Sequence, residues 1–150
     1  MATASVHAPA VGSSSGAVTS PGVPALIGRI LIAAIFVLSG ASKITQPGAT
    51  IGYMTAAGLP LAPIGLVVAA LIELGGGIGL ILGYRTRLVA TVLALFALVT
   101  AFVFHSDFSD QNQFIHFFKN VAVAGGLLQI VAFGAGRLSL DAGLRGRPAA

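Results

Sequence analysis

The sequence predicts an all-α polytopic membrane protein: four transmembrane helices in an antiparallel bundle, with a short interfacial helix between the first and second spans. Three observations predict it. The 150-residue chain is 56% hydrophobic and only 8% charged, whereas a soluble domain carries about a quarter charged residues. Four apolar segments, at 25–44, 63–83, 87–104 and 114–134, each approach the ~20 residues that cross a ~30 Å hydrocarbon core as a helix. The alternation of apolar and polar residues that marks a membrane β-strand is absent.

The elements follow in order. Residues 1–24 carry no Lys, Arg, Asp or Glu and are rich in Ala, Ser, Gly and Pro. Such a stretch buries too little apolar surface to offset its ordering entropy and reads as a disordered tail. It lacks the basic n-region of a signal peptide. The competing reading takes Arg29 as that n-region, Ile30 to Leu38 as the apolar core and a cleavage near Ser39-Gly40-Ala41, but its positive flank is thin and Lys43 follows at once. The four-span domain occupies 25–136. Thr45-Gln46-Pro47 resembles a cap followed by Pro at the first helical position, and Gly58 then Pro60 a stop. Between them 47–57 reads as a helix in the interface, with Tyr53 and Met54 as anchors. Pro63 opens the second span, and Gly83 to Arg87 is a tight turn with Thr86 as N-cap. Asp110 and Gln113 resemble a capping box for the fourth span. Residues 137–150 read as a short basic tail.

Four spans place both termini and the 84–87 turn on one side. That side holds Arg85, Arg87, Arg137, Arg145 and Arg147, with Arg29 just inside it, and the other side holds Lys43, Asp107 and Asp110. The positive-inside rule then predicts cytoplasmic termini. The net charge of +4 does not predict a nucleic-acid partner, because the basic residues are scattered singly along apolar runs.

Candidate chemistry lies in the spans. The first has a stripe at Arg29, Ala33, Phe36, Gly40 and Lys43, one helical face with a cation at each end. Snorkelling to the nearer headgroup layer explains Arg29. Glu73 lies mid-way along the second span and is the sole acid in any span, where a charge costs about 2.5–3.5 kcal/mol on insertion scales. It must be protonated or meet a cation. Its face carries small residues that let another helix approach, and Gly75 and Gly79 fit small-xxx-small packing. The Gly75–Gly79 run is no dinucleotide fingerprint, since no strand precedes it and Leu82 stands where a third Gly belongs. In the fourth span His116, Lys119, Asn120 and Val123 share a face. Lys119 lies about 8 Å into the span at 1.5 Å per residue, and its reach makes it the expected partner of Glu73, with Lys43 second. Lys43, His105, His116 and Lys119 thus converge on one half of the bundle, above Glu73. A ligand or proton site and a structural pair that fixes helix register both account for this cluster.

Cofactors are constrained in turn. The absence of Cys excludes thiol redox chemistry, disulfides and thiolate ligation within this chain. His105 and His116 sit near the rim, which argues against haem. No H-x-x-x-H or H-E-x-x-H spacing occurs, so no metal is expected.

Several segments together resemble a known family. Arg29 through Lys43, ending Gly40-Ala41-Ser42-Lys43, resembles the opening of the DoxX family of bacterial integral membrane proteins. Glu73-Leu74-Gly75-Gly76-Gly77 is similar to that family's second helix, and Tyr84-Arg85-Thr86-Arg87-Leu88 to its turn. His105-Ser106-Asp107-Phe108 and the run from Gln111 to Asn120 resemble its most specific stretch. The resemblance covers about 25–141. It implies four helices in a bacterial inner membrane and association with quinol oxidase or thiosulfate:quinone oxidoreductase activity, most members having no established reaction. Quinone is then the small molecule to expect, in an apolar slot where Lys119, His116 and Asn120 lie beside Phe114, Phe117 and Phe118.

Three functions remain open: a redox-associated, quinone-linked subunit without its own electron carrier; a binder or transporter with Glu73 as a proton-coupled site; and a purely structural membrane protein. The partners expected are the lipid bilayer, a membrane or redox protein, and a second copy of the chain.

Overall fold

The computed structural model of the protein describes residues 22–145, all in helices and short turns. The elements are α1 (Val23–Thr45), α2 (Pro47–Ala56), α3 (Ala62–Leu82), α4 (Thr86–Phe104), α5 (Gln111–Phe133) and α6 (Leu140–Arg145). α1, α3, α4 and α5 are each long and apolar enough to cross a membrane, and they form the antiparallel bundle. Most of the expected 1–24 tail lies outside the described residues, but Val23 and Pro24 already belong to α1, with Pro in its first turn.

Packing is strongest between α1 and α3 and between α4 and α5, and the two pairs close on each other mainly through α3 and α4. The central core is Ala33, Phe36, Leu80, Ala90, Leu93, Ala94, Ala97, Ala124 and Leu127. Alanine dominates it because lipid tails are as apolar as leucine. Helices gain by close packing of small residues rather than by hiding large ones. Leucines such as Leu31, Leu38, Leu71 and Leu95 are exposed accordingly.

Glycine sets the α1–α3 approach. A Cβ on Gly40 would lie 2.7 Å from Leu74 Cγ, and one on Gly77 2.7 Å from Val37 Cγ2 and 3.3 Å from the Ala33 carbonyl oxygen. Gly76 meets Leu93 of α4 in the same way, whereas Gly75 faces open space. The expected Gly75 contact is therefore corrected to Gly76 and Gly77, while Gly79 does pack, against Val89.

The connections differ from expectation in their caps. Thr45 is the last residue of α1, its hydroxyl donating back to the Ala41 carbonyl, and Gln46 precedes Pro47 as N-cap of α2. Met54 is no interfacial anchor. It is buried against Ala62 and Ala69, and ties α2 to α3. Asp110 caps α5 by accepting from the Gln113 N–H at 3.0 Å, but the Gln113 side chain turns to His105 instead of closing the box. Thr86 is not a cap: its Oγ1 is buried without a hydrogen-bond partner.

That role falls to Asp141 of α6, whose carboxylate accepts from the Arg85 and Thr86 N–H groups at 2.8 and 2.9 Å. A carboxylate at a helix N-terminus satisfies orphan donors and meets the positive end of the dipole. It also holds Arg85 in a left-handed conformation at φ +43°. Arg29 stands beside it, 1% exposed, donating to the carbonyls of Leu80 (3.0 Å), Ile81 (3.3 Å) and Leu138. Arg29 thus turns inward instead of snorkelling. The segment read as a tail from 137 is, as far as Arg145, a strap docked on this end of the bundle.

The glycine geometry gives a prediction. Gly77→Leu should separate α1 from α3 and cost about 1–3 kcal/mol, as overpacking does. Gly75→Leu should be neutral. Thermal unfolding of both variants in one detergent checks this, and equal midpoints would refute it.

Candidate functional site

The site is built on the α1–α3 contact that Gly40 permits. Glu73 lies mid-way along α3 on its buried face, with Ala69, Ala70, Gly77 and Leu80. Lys43 is on the last turn of α1, on the stripe that buries Arg29, Ala33, Phe36 and Gly40. Its ammonium is 2.8 Å from Glu73 Oε2 and donates to Oε1 at 3.0 Å. It also donates to Ser39 Oγ at 2.9 Å, and the Ser39 hydroxyl donates to Glu73 Oε1 at 3.0 Å. Two acceptors thus take hydrogen bonds from the three donors of one ammonium. Only the Oε2 approach lacks hydrogen-bond alignment and is purely ionic.

Lys119, the expected partner of Glu73, is elsewhere. It is exposed on α5 and lies 3.0 Å from His116 Nδ1, to which it donates. α5 packs chiefly on α4, whereas α3 packs chiefly on α1. α5 turns Phe117, Ala124 and Leu127 into the bundle, which leaves His116 and Lys119 to one side. The His105 ring lies 5.1 Å from that of His116 and donates from Nδ1 to Gln113 Oε1 at 2.7 Å. Asn120, half-buried, reaches Thr100 Oγ1 at 3.5 Å.

A cavity of 730 Å³ joins these groups. Lys43, Glu73, His105, Lys119 and Asn120 all line it, and of the six candidate residues only His116 does not. The expected phenylalanine slot is not its wall. Phe114 and Phe118 are exposed, Phe117 packs edge-on against Phe102 and Phe108, and none of the three lines the cavity. The apolar wall is Phe36, Ile72, Phe96 and Val99 instead.

Ser39, Thr50 and Thr100, which the sequence did not single out, also line the cavity, as does Tyr53, expected only as an interfacial anchor. Ser39 had a signal, since it lies four residues before Lys43 on the same helical side. Tyr53 roofs the cavity from α2, donating to the Phe104 carbonyl at 3.2 Å and stacking on its ring at 5.7 Å. Outside the spans, Asp107 accepts from the Ser109 hydroxyl at 2.6 Å and its N–H at 3.0 Å, which hold its carboxyl below the usual carboxylate range.

Four apolar helices around a buried ion pair and a cavity define an integral membrane protein of the helical-bundle class. The chain belongs to the DoxX family, whose model matches residues 25–106, more than half of it. It is similar to inner membrane protein YqjF of Escherichia coli strain K12, at 40% identity over 119 residues, 79% of this chain and 90% of that one. It is also similar to inner membrane protein YphA of the same strain, at 33% identity over 122 residues, 77% of this chain and 86% of that one. No solved structure matches the chain.

The ion pair can be tested by a double-mutant cycle. Glu73→Ala strands the Lys43 ammonium, and Lys43→Met strands a carboxylate that can escape by protonating, so the first should cost more. With side chains 6% and 16% exposed, each loss should fall below the ~3–5 kcal/mol of a fully buried pair. The double variant should recover part of it, a coupling that independent sites do not show. Lys119→Gln combined with Glu73→Ala should be additive. Thermal unfolding of the set decides, and coupling to Lys119 but not to Lys43 would reverse the assignment.

Proposed function

We propose that the protein is an inner-membrane binder of a small lipophilic molecule with a hydrogen-bonding head, a quinone being the first candidate, and that it serves as a membrane subunit for a redox partner. The observation that carries this is the 730 Å³ cavity with the Lys43–Glu73 pair in its wall. Ligand sites of this size pair apolar walls with a few placed polar groups. The apolar wall named above and the donors Lys119 and Asn120 meet that description. The chain has no cysteine, so thiolate-bound iron–sulfur chemistry would belong to a partner. A second reading, proton-coupled transport, is favoured by one observation: the Glu73 carboxylate is buried mid-span yet borders the cavity.

Mass spectrometry of small molecules extracted from gently purified protein tests the first reading. A quinone should copurify, and added decylubiquinone should bind saturably. Val99→Trp projects an indole from the cavity wall at a position 58% exposed, so it should weaken that binding at least tenfold without unfolding the bundle. Binding unchanged by the indole would place the quinone outside the cavity. Proton-linked uptake into vesicles that Glu73→Gln abolishes would favour transport instead.

The inner-membrane placement follows the two relatives, and the orientation follows the arginines. Arg29, Arg85, Arg87 and Arg137 gather at the end that holds the start of α1 and the strap, and we take that end as cytoplasmic. The chain has no native cysteine to compete with a reporter. A cysteine replacing Ser106, which is exposed at the opposite end, should react with an impermeant thiol reagent on intact spheroplasts. One replacing Gly143, exposed on α6, should react only after lysis. The reverse pattern would invert the orientation.

A further inference from the structure

We infer that the head group accepted by this cavity carries a single negative charge, so that its occupant is an amphipathic anion, a carboxylate or phosphate on an apolar body. The inference rests on the reading of the cavity as a ligand site, and within that reading it ranks an anionic head above the neutral quinone head.

The chain has four acids, Glu73, Asp107, Asp110 and Asp141, and each is committed. Glu73 is held by Lys43, Asp107 by Ser109, Asp110 by the N–H of Gln113 and Asp141 by the N–H groups of Arg85 and Thr86. Lys43 and Glu73 cancel. Lys119 also lines the cavity, and among the described residues no carboxylate lies within ion-pair distance of it; its one partner is a histidine ring nitrogen. The wall therefore carries one uncompensated positive charge. An ammonium has three donors and His116 takes one, so two remain for a ligand. Asn120 and the His105 ring border the cavity with Lys119 and add polar contacts for the same head.

A neutral head would satisfy donors and leave the charge unmatched. An anion supplies both, and charge-assisted hydrogen bonds are roughly twice as strong as neutral ones. The apolar remainder of the wall, from Phe36, Ile72 and Phe96, fits a hydrocarbon body. Two sources share this chemistry, a free lipophilic carboxylate and the phosphate head of an anionic membrane lipid.

Native mass spectrometry of the full chain released from a neutral maltoside tests it, with four probes: dodecanoate, dodecanol, phosphatidylglycerol and phosphatidylcholine. Wild type should retain dodecanoate over dodecanol by at least tenfold. Lys119→Gln should abolish that preference, and Lys119→Arg should keep it. Lys119 is exposed, so both variants should match wild type in thermal unfolding. If phosphatidylglycerol is retained over phosphatidylcholine with the same dependence on Lys119, the source is the lipid; if only dodecanoate responds, it is the free carboxylate. Equal retention of dodecanoate and dodecanol, or a preference that survives Lys119→Gln, would overturn the inference. The reading of the cavity fails separately, if Val99→Trp leaves every probe and decylubiquinone bound as in wild type. Decylubiquinone blocked by Val99→Trp, with no anion preference, would leave the cavity and remove only the charge.

Discussion

A carboxylate in the middle of a membrane helix has to be answered by something, and much of this bundle is arranged around that requirement. Glu73 cannot reach a headgroup layer from mid-span, so its cation has to come to it. Lys43 reaches it only because α1 and α3 approach closely, and they do so because Gly40 and Gly77 present no side chain at the crossing. The same closeness brings Ser39 between the two charges. Packing and electrostatics are thus one constraint here: enlarging a glycine would also lengthen the ion pair.

The opposite end solves a related problem with backbone groups. Only three residues separate the end of α3 from the start of α4, which leaves terminal carbonyls on one side and terminal N–H groups on the other. Arg29 donates to the carbonyls and Asp141 accepts from the N–H groups. Each charge is placed where the local helix dipole favours its sign. The two also attract each other, so α1 and the strap after α5 are drawn to the same turn. One end is closed by charges spent on the backbone, while the other keeps its charges on side chains that border a cavity.

The division explains what the sequence made legible. Spans, the short α2 and the stripe Arg29, Ala33, Phe36, Gly40 were readable because they are local: hydropathy, proline and glycine punctuation, and a spacing of three and four. Asp110 as a cap was readable for the same reason. The partner of Glu73 was not. Depth along the membrane normal can be counted from residue numbers, and it ranked Lys119 first. The rotation of α5 about its own axis cannot be counted that way, and in the fold it turns Phe117 inward and Lys119 aside. Thr86 failed similarly. It has the right chemistry for a cap, but the acceptor arrives from Asp141, far along the chain. Ser39 and Thr100 were passed over because single hydroxyls in apolar helices carry no pattern of their own.

The misplaced lysine is also the informative one. Had Lys119 met Glu73, the cavity would hold one compensated pair from α3 and α5, and Lys43 would be free to snorkel from the end of α1. With Lys43 taken, two cations and one carboxylate share a single concave surface. The surplus has no carboxylate within ion-pair distance among the described residues, and each of the four acids is held elsewhere. The imbalance does not help α1 and α3 pack, since the Lys43–Glu73 pair already joins them. Lys119 also adds little to the bundle's own packing, being exposed beside the inward face of α5. A charge that the fold neither needs nor neutralises, set in the wall of a cavity, is the feature on which the proposed binding site rests.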